Sequence, residues 1–381
     1  MREWCVTQVF VSELLCGGGW AETASDTSLA TEGRGMLLAV LSDLAGLPDL
    51  KVATTWHQPL GPFPLTGVHV IPVAGPEEEA RIFDDLSASA DWTLVIAPEF
   101  DRLLETRSRR VLHNGGRLLG SGPNAIAVAG DKQWTAKVWL ERGLPTIATR
   151  TVSGPLLAKM AGLPLPVPFV IKPRFGAGSQ ATRVVRSVAD WRGMVAELTE
   201  EPLLTQAVVQ PLREGTPASC AVFCGGEETD PIVLPIARQH ISPDGRLKYL
   251  GGSLTWPVAD RPEVRSVVTA ACRAIPGLRG YVGVDLLLTD GGESCELVEL
   301  NPRLTTSYLG YRELAESRTA GFVGTIPLGS QSDLAPWDVT QAEPGSRAWL
   351  SGGSQLAAAL LRPDRARDLS WRSGHFEYGG N

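Results

Sequence analysis

The feature that most constrains the fold is a pair of apolar segments joined by a turn at 280–303, GYVGVDLLLTDGGESCELVELNPR. The linking sequence Asp290-Gly291-Gly292-Glu293 is typical of a β-hairpin turn. Pairing the segments about that turn sets Asp285 nearly opposite Glu299, and opposed residues have Cβ atoms about 4.5 to 5.5 Å apart. Asn301, two residues beyond Glu299, projects from the same strand face. The hairpin therefore predicts three converging oxygen donors.

Two carboxylates on buried strands need a positive charge between them. Both strands are apolar on both faces, which indicates burial, and unpaired buried carboxylates would repel each other and lose solvation. Mg²⁺ fits better than zinc or calcium, because it takes oxygen ligands and completes its shell with waters and nucleotide phosphates. We therefore expect Asp285, Glu299 and Asn301 to bind Mg²⁺, with Mn²⁺ as the alternative ion. Arg303 is either a salt-bridge partner for these carboxylates or a clamp on a reacting phosphoryl or acyl oxygen.

A second signal, FVIKPRFGAGS at 169–179, is an apolar strand that ends in Lys172 and continues into a glycine loop. Gly176 and Gly178 allow backbone N–H groups to approach phosphate oxygens, while Lys172 supplies a positive charge. The GxxxxGK[ST] pattern of a P-loop is absent from the sequence. The loop therefore indicates a triphosphate site of another kind, or else a purely structural lysine and turn.

Composition limits the expected partners. The 381 residues predict two or three domains, and 35 basic against 42 acidic residues give a net charge of -7, with no basic stripe for nucleic acid. No apolar run reaches the roughly 18 residues of a membrane helix, and Glu3 and Glu13 interrupt the opening segment where a signal peptide would be apolar. The histidines and cysteines show no metal-ligand spacing. We expect a cytoplasmic protein that acts on small molecules, without nucleic-acid or membrane partners.

Apolar periodicity indicates where the first units begin and end. Residues 1–122 alternate strand-like runs with helical segments, which predicts a parallel sheet covered by helices. The best helix there is 32–45, with Thr31 as the expected N-cap and Gly46 as the stop. A second helix is expected to begin after the N-cap Asp131 and to open a new unit.

In this order, the pieces resemble the ATP-grasp superfamily over about 123–312: a Gly130-Asp131-Lys132 helix start, a strand with a lysine and glycine loop, a strand with a hinge at 209–212, then an aspartate and Glu-x-Asn-Pro-Arg. The resemblance implies an ATP-grasp fold, of class α/β and α+β, with an N-terminal parallel-sheet (pre-ATP-grasp) domain and two α+β subdomains that sandwich ATP. The implied units are 1–122 (N-terminal domain), 123–205 (small lid subdomain), 206–319 (metal-binding subdomain) and 320–381 (C-terminal extension of unassigned structure).

The same resemblance implies ATP and Mg²⁺ as cofactors and assigns roles to single residues. Lys172 and Arg303 would act in catalysis, and the hinge backbone would meet the adenine edge. Two departures from the family pattern are Pro217, where many members have a ribose-binding glutamate, and Ser179-Gln180-Ala181, where the loop has no further glycine. The implied nucleotide-binding residues are Lys132, Lys172, Gly176, Gly178, Ser179, Val209, Gln210 and Leu212.

Four segments look, more narrowly, like the tyramine-glutamate ligase family of methanofuran biosynthesis: EGRGMLLAVLSDL (32–44), IAPEFD (96–101), KYLGG (248–252) and ELNPRLTTSYLGYR (299–312). That family joins an amine to the γ-carboxylate of glutamate, and an acyl phosphate supplies the leaving group that amide formation needs. A ligase for another acid and amine, and a non-catalytic nucleotide sensor, remain alternative functions. The expected assembly, if the protein is an oligomer, is a homodimer. The expected substrate contacts are Glu13, Gly17, Gly18, Gly19, Glu99, Tyr308 and Arg312.

Overall fold

The three-dimensional structure is a computed structural model of the chain. In the part of the chain that it describes, the strands form three larger sheets and one two-stranded sheet, with helices packed on them. None of the described helices is long and apolar enough to cross a membrane. The described residues are 6–20, 28–153, 157, 162–226, 229–254, 261–317, 352–361, 369–371 and 374–377.

The N-terminal sheet is parallel, as predicted, with strand order β3-β2-β1-β4. One of the strand-like runs within 1–122, RLLGSG at 117–122, contributes only a bridge between Leu118 and Thr93. Helices α2 and α3 pack with this sheet through a cluster that contains Phe10, Phe83 and Val111. The elements are β1 (Thr7–Glu13), α1 (Ser28–Ala45), β2 (Leu50–His57), β3 (His69–Val73), α2 (Pro76–Ser89), β4 (Trp92–Ile96) and α3 (Leu103–His113).

Helix α1 connects the N-terminal sheet with the rest of the molecule. It begins at Ser28, so Thr31 lies inside the helix and the prediction of Thr31 as the N-cap was wrong. It ends at Ala45, directly before Gly46, as predicted. Its apolar face is buried in the main core, because each of the following residues is at most 4 % exposed: Met36, Leu37, Val40, Leu41 and Leu44.

The small sheet is antiparallel, with order β5-β8-β6-β7, and α6 covers it through Trp191 and Leu198. Strand β8 lies beyond residue 205, yet it pairs with β5 and β6. The predicted boundary at 205 therefore cuts this sheet. The elements are β5 (Arg150–Val152), β6 (Phe169–Pro173), β7 (Arg183–Val185), α6 (Val188–Glu200) and β8 (Ala207–Pro211).

The large sheet is antiparallel, with order β14-β13-β9-β11-β12-β17 and β10 beside β9. Helices α4, α5 and α7 pack on it, and Trp139 of α5 donates a hydrogen bond to the Ala271 carbonyl of α7 at 3.1 Å. Residues 123–141 thus belong with the large sheet and not with the small one. The elements are α4 (Pro123–Ala129), α5 (Lys132–Glu141), β9 (Thr216–Cys224), β10 (Ile232–Val233), β11 (Ala237–Ile241), β12 (Tyr249–Leu254), α7 (Pro262–Arg273), β13 (Gly280–Thr289) and β14 (Ser294–Asn301).

The described parts of the C-terminal region are built into this fold. Helix α8 (Ser307–Leu314) follows the hairpin, and β15 (Ala315–Ser317) pairs with β16 (Leu369–Trp371). Helix α9 (Gly352–Leu361) packs against α1, and β17 (Gly374–Glu377) completes the edge of the large sheet. The predicted unit 320–381 is therefore not separate in its described residues, while the stretch 318–351 lies outside them.

Candidate active site

One cavity of 330 Å³ lies between the small sheet, the large sheet and the first turns of α1. The structure brings most of the predicted nucleotide-binding and metal-binding residues to its wall. Val209 is the exception in the nucleotide set, because it is fully buried within the small sheet. The predicted residues on the wall are Lys132, Lys172, Gly176, Gly178, Ser179, Gln210, Leu212, Asp285, Glu299, Asn301 and Arg303.

The predicted hairpin register is confirmed: Asp285 on β13 pairs with Glu299 on β14, and Gly283 pairs with Asn301. A bulge follows Asp285. Its carboxylate accepts hydrogen bonds from Gln239 Nε2 at 3.0 Å and from Asn301 Nδ2 at 3.2 Å. Burial, and then the charge of Glu299, raise the pKa of Asp285 to about 7.

This donor set fits Mg²⁺. Asp285, Glu299 and Asn301 offer carboxylate and amide oxygens, and the mutual repulsion of the carboxylates marks a place for a cation. The described residues, those of the hairpin included, contain no group of three or more His, Cys, Asp or Glu side chains that could hold a metal, so this set consists of two carboxylates and the Asn301 amide. Mg²⁺ binding at the hairpin stays a prediction with a consistent geometry.

Two lysines converge on Glu299. Lys172 Nζ donates to Glu299 Oε2 at 3.0 Å, and Lys132 Nζ lies 3.6 Å from the same oxygen. Burial alone would raise the pKa of Glu299, but the two lysines outweigh it and hold the pKa at about 2. Lys132 also donates to the Gly176 carbonyl at 3.0 Å. Both positive charges are therefore held beside the glycine loop.

Asp131 links the elements that carry the two lysines. As predicted, it caps α5, accepting hydrogen bonds from the N–H groups of Gln133 and Trp134. Its carboxylate also binds the Arg174 guanidinium in a bidentate pair, at 2.8 and 2.6 Å. Because Arg174 follows β6, this pair fixes the start of α5 against the end of the strand that carries Lys172. Sequence reasoning identified the cap and missed Arg174.

The glycine loop folds back towards α1. Gly178 has a φ of +64°, and the non-glycine residues Ser179 and Ala181 are also left-handed, at 57° and 50°. A Cβ placed on Gly178 would lie 3.5 Å from a carboxylate oxygen of Glu32. The loop thus closes the cavity on the side of the N-terminal domain, in a conformation that L-residues rarely adopt.

Some of the hydrogen-bonding groups of the hinge at 209–212 already have partners in and beside the small sheet. The Leu212 N–H donates to the Pro168 carbonyl at 3.0 Å, and the Gln210 side chain donates to Thr149 Oγ1 at 2.9 Å. The Leu212 N–H is therefore not available for the adenine edge in this conformation. Gln210 and Leu212 still line the cavity, and their contact with adenine stays a prediction.

Arg303 pairs with Glu99 and not with the hairpin carboxylates. Its guanidinium binds the Glu99 carboxylate at 2.9 and 3.1 Å, and the two side chains are 10 % and 4 % exposed. Glu99 follows β4, so this ion pair joins the N-terminal domain to the large sheet. Glu99 does not line the cavity, and its predicted substrate contact is replaced by the ion pair.

Glu13 and the Gly17–Gly19 loop, also predicted as substrate contacts, do not reach the cavity. Glu13 is 2 % exposed, and its carboxylate accepts the Cys16 N–H at 2.6 Å. Burial raises its pKa to about 7. Gly18 is left-handed, with a φ of +89°, in a turn that packs against Val73 and His57. The loop packs against other residues of the N-terminal domain, and Gly17, Gly18 and Gly19 are not among the residues that line the cavity.

Tyr308 and Arg312 are likewise not on the cavity wall. The Tyr308 hydroxyl donates to Asp43 Oδ2 at 3.0 Å, and the Arg312 guanidinium binds both Asp43 oxygens at 2.8 and 2.7 Å. We call Asp43, Tyr308 and Arg312 the α1–α8 network. The two segments that most resemble tyramine-glutamate ligases therefore contact each other and fix α1 against α8. In this structure Tyr308 and Arg312 bind Asp43 and do not line the cavity, and their contact with substrate stays a prediction.

Glu32 of α1 and Tyr249 of β12 are among the wall residues that the sequence analysis missed. Both belong to segments, EGRG and KYLGG, that carried the family resemblance. Their place in these two segments was the feature of the sequence that could have identified them as site residues.

Two family models match the chain, the ATP-grasp domain over residues 130–307 and the pre ATP-grasp 3 domain over residues 50–126. The first range contains Lys132, Lys172 and the β13–β14 hairpin. The second contains most of the N-terminal parallel sheet. The chain belongs to the ATP-grasp superfamily, as its sequence predicts.

Its relatives include ligases for amino acids. A tyramine–L-glutamate ligase of Methanocaldococcus fervens is 28 % identical over 224 residues, 58 % of this chain and 62 % of that ligase, so the match spans less than two thirds of its length. A D-alanine–D-alanine ligase of Bordetella avium is 26 % identical over 255 residues, 61 % of this chain and 77 % of that ligase. An ATP-grasp superfamily protein from Archaeoglobus fulgidus has a TM-score of 0.59 at 23 % identity, covering 81 % of this chain and 84 % of that one, which confirms the predicted fold.

Proposed function

We propose that the protein is an ATP-dependent carboxylate–amine ligase that forms an amide through an acyl phosphate and releases ADP and phosphate. The observation that carries the proposal is the convergence of Lys132 and Lys172 on Glu299, beside Asp285 and Asn301, in one cavity roofed by the glycine loop. Positive charges for phosphates and oxygen ligands for a cation are the parts that phosphoryl transfer requires.

The charges of the cavity explain why ATP would bind with Mg²⁺. Lys132 and Lys172 already face Glu299, and Asp285 adds a second carboxylate, so the wall alone cannot neutralise a triphosphate. Asp285, Glu299 and Asn301 would hold the ion, which supplies charge neutralisation at the β and γ oxygens. The lysines would contact the phosphates, and Gly176, Gly178 and Ser179 would place backbone N–H groups over them.

The reaction balances without a redox partner. A carboxylate oxygen of the acid attacks the γ-phosphorus, and the bond from that phosphorus to the ADP oxygen breaks. The amine nitrogen then attacks the acyl carbon, the bond from the acyl carbon to phosphate breaks, and a proton of the amine is lost to phosphate or water. Arg303, oriented by Glu99 at the cavity wall, would stabilise negative charge on the acyl oxygen.

The finer proposal is that glutamate and tyramine, or a related amine, are the substrates. Its support is the likeness to tyramine–L-glutamate ligase, and the D-alanine–D-alanine ligase likeness keeps other acids and amines as alternatives. The described geometry adds no preference, because Tyr308 and Arg312 are engaged with Asp43. The cytoplasmic location, the homodimer and a place in methanofuran biosynthesis stay predictions from the sequence.

Product analysis tests the proposal. Purified protein with Mg-ATP, L-glutamate and tyramine should release ADP and phosphate and give a γ-glutamyl amide that mass spectrometry detects. ADP release with only some other acid and amine would keep the reaction and reject this substrate pair. AMP and pyrophosphate as products would contradict the acyl phosphate. Tight ATP binding with no release across a panel of acids and amines would favour the nucleotide sensor.

A further inference from the structure

Glu32 places a carboxylate on the cavity wall from the N-terminal domain. It lies in the second turn of α1, and its side chain is partly buried. The glycine loop approaches it at Gly178, and Arg303 lies close enough for its charge to act on Glu32. Glu32 therefore borders the space between the phosphate-binding loop and the metal hairpin, where substrates must meet.

The other charged groups on the wall have partners within the protein. Glu299 binds Lys172, Arg303 binds Glu99, and Asp285 accepts hydrogen bonds from two amides. Glu32 accepts one hydrogen bond, from the Ser28 hydroxyl at 3.3 Å, and has no further hydrogen bond or salt bridge to the described residues. A partly buried carboxylate with one long hydrogen bond is costly unless a cation joins it.

The surroundings of Glu32 support a cationic ligand. Burial raises the pKa of its carboxyl, and the Arg303 charge lowers it again. Tyr249 lines the same cavity, and the charges of Asp285 and Glu32, after burial, raise the pKa of its phenol. An aromatic ring beside a carboxylate is a combination that suits an organic cation, because the ring face attracts positive charge while its carbon surface removes water.

The position of Glu32 is fixed by the scaffold. Its neighbour Gly33 packs so closely on Glu13 that a Cβ there would lie 2.4 Å from the Glu13 carboxylate. Further along α1, Asp43 is held by Tyr308 and Arg312. These contacts anchor the part of α1 that begins next to Glu32, so ligand binding there requires little movement of the helix.

From these observations we propose that Glu32 binds the primary ammonium group of a substrate, with the Tyr249 ring forming the adjacent wall. The inference rests on the proposed ligase function and names the charge of one of its substrates. Two sources offer this chemistry: the α-ammonium of an amino acid that supplies the carboxylate, and the protonated form of the acceptor amine.

Titration calorimetry measures substrate binding directly, so it tests the role of Glu32 without requiring the protein to turn over. Protein loaded with Mg²⁺ and a non-hydrolysable ATP analogue is titrated with tyramine, L-glutamate and D-alanine, and with glutarate, which lacks the ammonium group. In Glu32→Gln, affinity for at least one ammonium probe should fall about ten- to hundred-fold, while glutarate binds unchanged. Loss confined to tyramine assigns the acceptor amine. Loss confined to the amino acids, with loss of the preference for glutamate over glutarate, assigns the α-ammonium.

Two variants serve as controls. Glu77→Gln removes the same charge from an exposed position on α2 and should leave all affinities unchanged. Glu32→Asp keeps the charge and should retain part of the lost affinity, and it also serves if Glu32→Gln no longer binds the nucleotide analogue. Equal ammonium affinities in wild type and Glu32→Gln, or no binding of any ammonium probe by the wild type, would overturn the inference. The ligase proposal fails separately, through the absence of ADP release.

Discussion

The α1–α8 network and the cavity both place charged side chains away from water. In the network each charge has a partner within the protein, whereas in the cavity some carboxylates do not. Asp43, which is 1 % exposed, accepts hydrogen bonds from Tyr308 and from both arms of the Arg312 guanidinium. The cavity wall carries the carboxylates of Glu32, Asp285 and Glu299, and its two lysines both pair with Glu299. A closed network stabilises the fold, whereas a cavity in which Glu32 and Asp285 make no salt bridge to the described residues is suited to receive cations.

The largest expected effect is a loss of activity on substitution of the hairpin carboxylates in the cavity. Glu299→Gln should lower the rate of ADP release by about a thousandfold, because Lys132 and Lys172 lose their shared partner and the metal loses a ligand. Asp285→Asn should shift the magnesium dependence to higher concentration. Rates are measured across a magnesium titration, with circular dichroism to verify folding. Wild-type rates in either variant would remove the hairpin from the metal site.

The next effect is on stability. Asp43→Ala leaves Arg312 without its buried partner and should lower the free energy of unfolding by about 3 kcal/mol. At a temperature where the variant is folded, its affinity for Mg-ATP should stay close to that of wild type, because no member of the α1–α8 network lines the cavity. Denaturant unfolding and calorimetry measure the two quantities. An unchanged stability would contradict the structural role of the network.

Glu13 provides a smaller test that depends on pH. Burial raises the pKa of this carboxyl to about 7 from an ordinary 4.5, with Cys16 and Arg107 opposing the shift. The folded protein then holds a proton that the unfolded chain releases, so stability should fall as pH rises from 4.5 to 7. The loss should be about 3 kcal/mol at most. Glu13→Gln should remove this slope, measured by denaturant unfolding at several pH values.

The control for the pH experiment is Glu77→Gln, which changes an exposed carboxylate in the same domain and should keep the wild-type slope. A slope that survives in Glu13→Gln would assign the titration to another group.

The parts of the structure that could be predicted depend on interactions between residues close together in the sequence. The turn at 290–293 fixes the pairing of Asp285 with Glu299, Asp131 is a strong N-cap, and the apolar stripe of α1 has one possible face. Each of these signals lies within a short stretch of sequence. The family likeness then brought the lysines and the hairpin into one site.

The features that could not be predicted depend on contacts between residues that are far apart in the sequence. Arg312 lies 269 residues from Asp43, and a sequence does not reveal whether an arginine meets a ligand or a buried aspartate. Glu32 was missed because its role depends on the glycine loop reaching α1. The boundary at 205 was misplaced because β8 joins the small sheet across a helix.

We expect the cavity, and not the α1–α8 network, to bind Mg-ATP through Lys132 and Lys172. The most direct measurement is calorimetric titration of Mg-ATP into wild type, a Lys132→Ala and Lys172→Ala double variant, and Tyr308→Phe. The account predicts affinity at least about tenfold weaker in the double variant, and unchanged affinity in Tyr308→Phe. Equal affinity in all three proteins would contradict it.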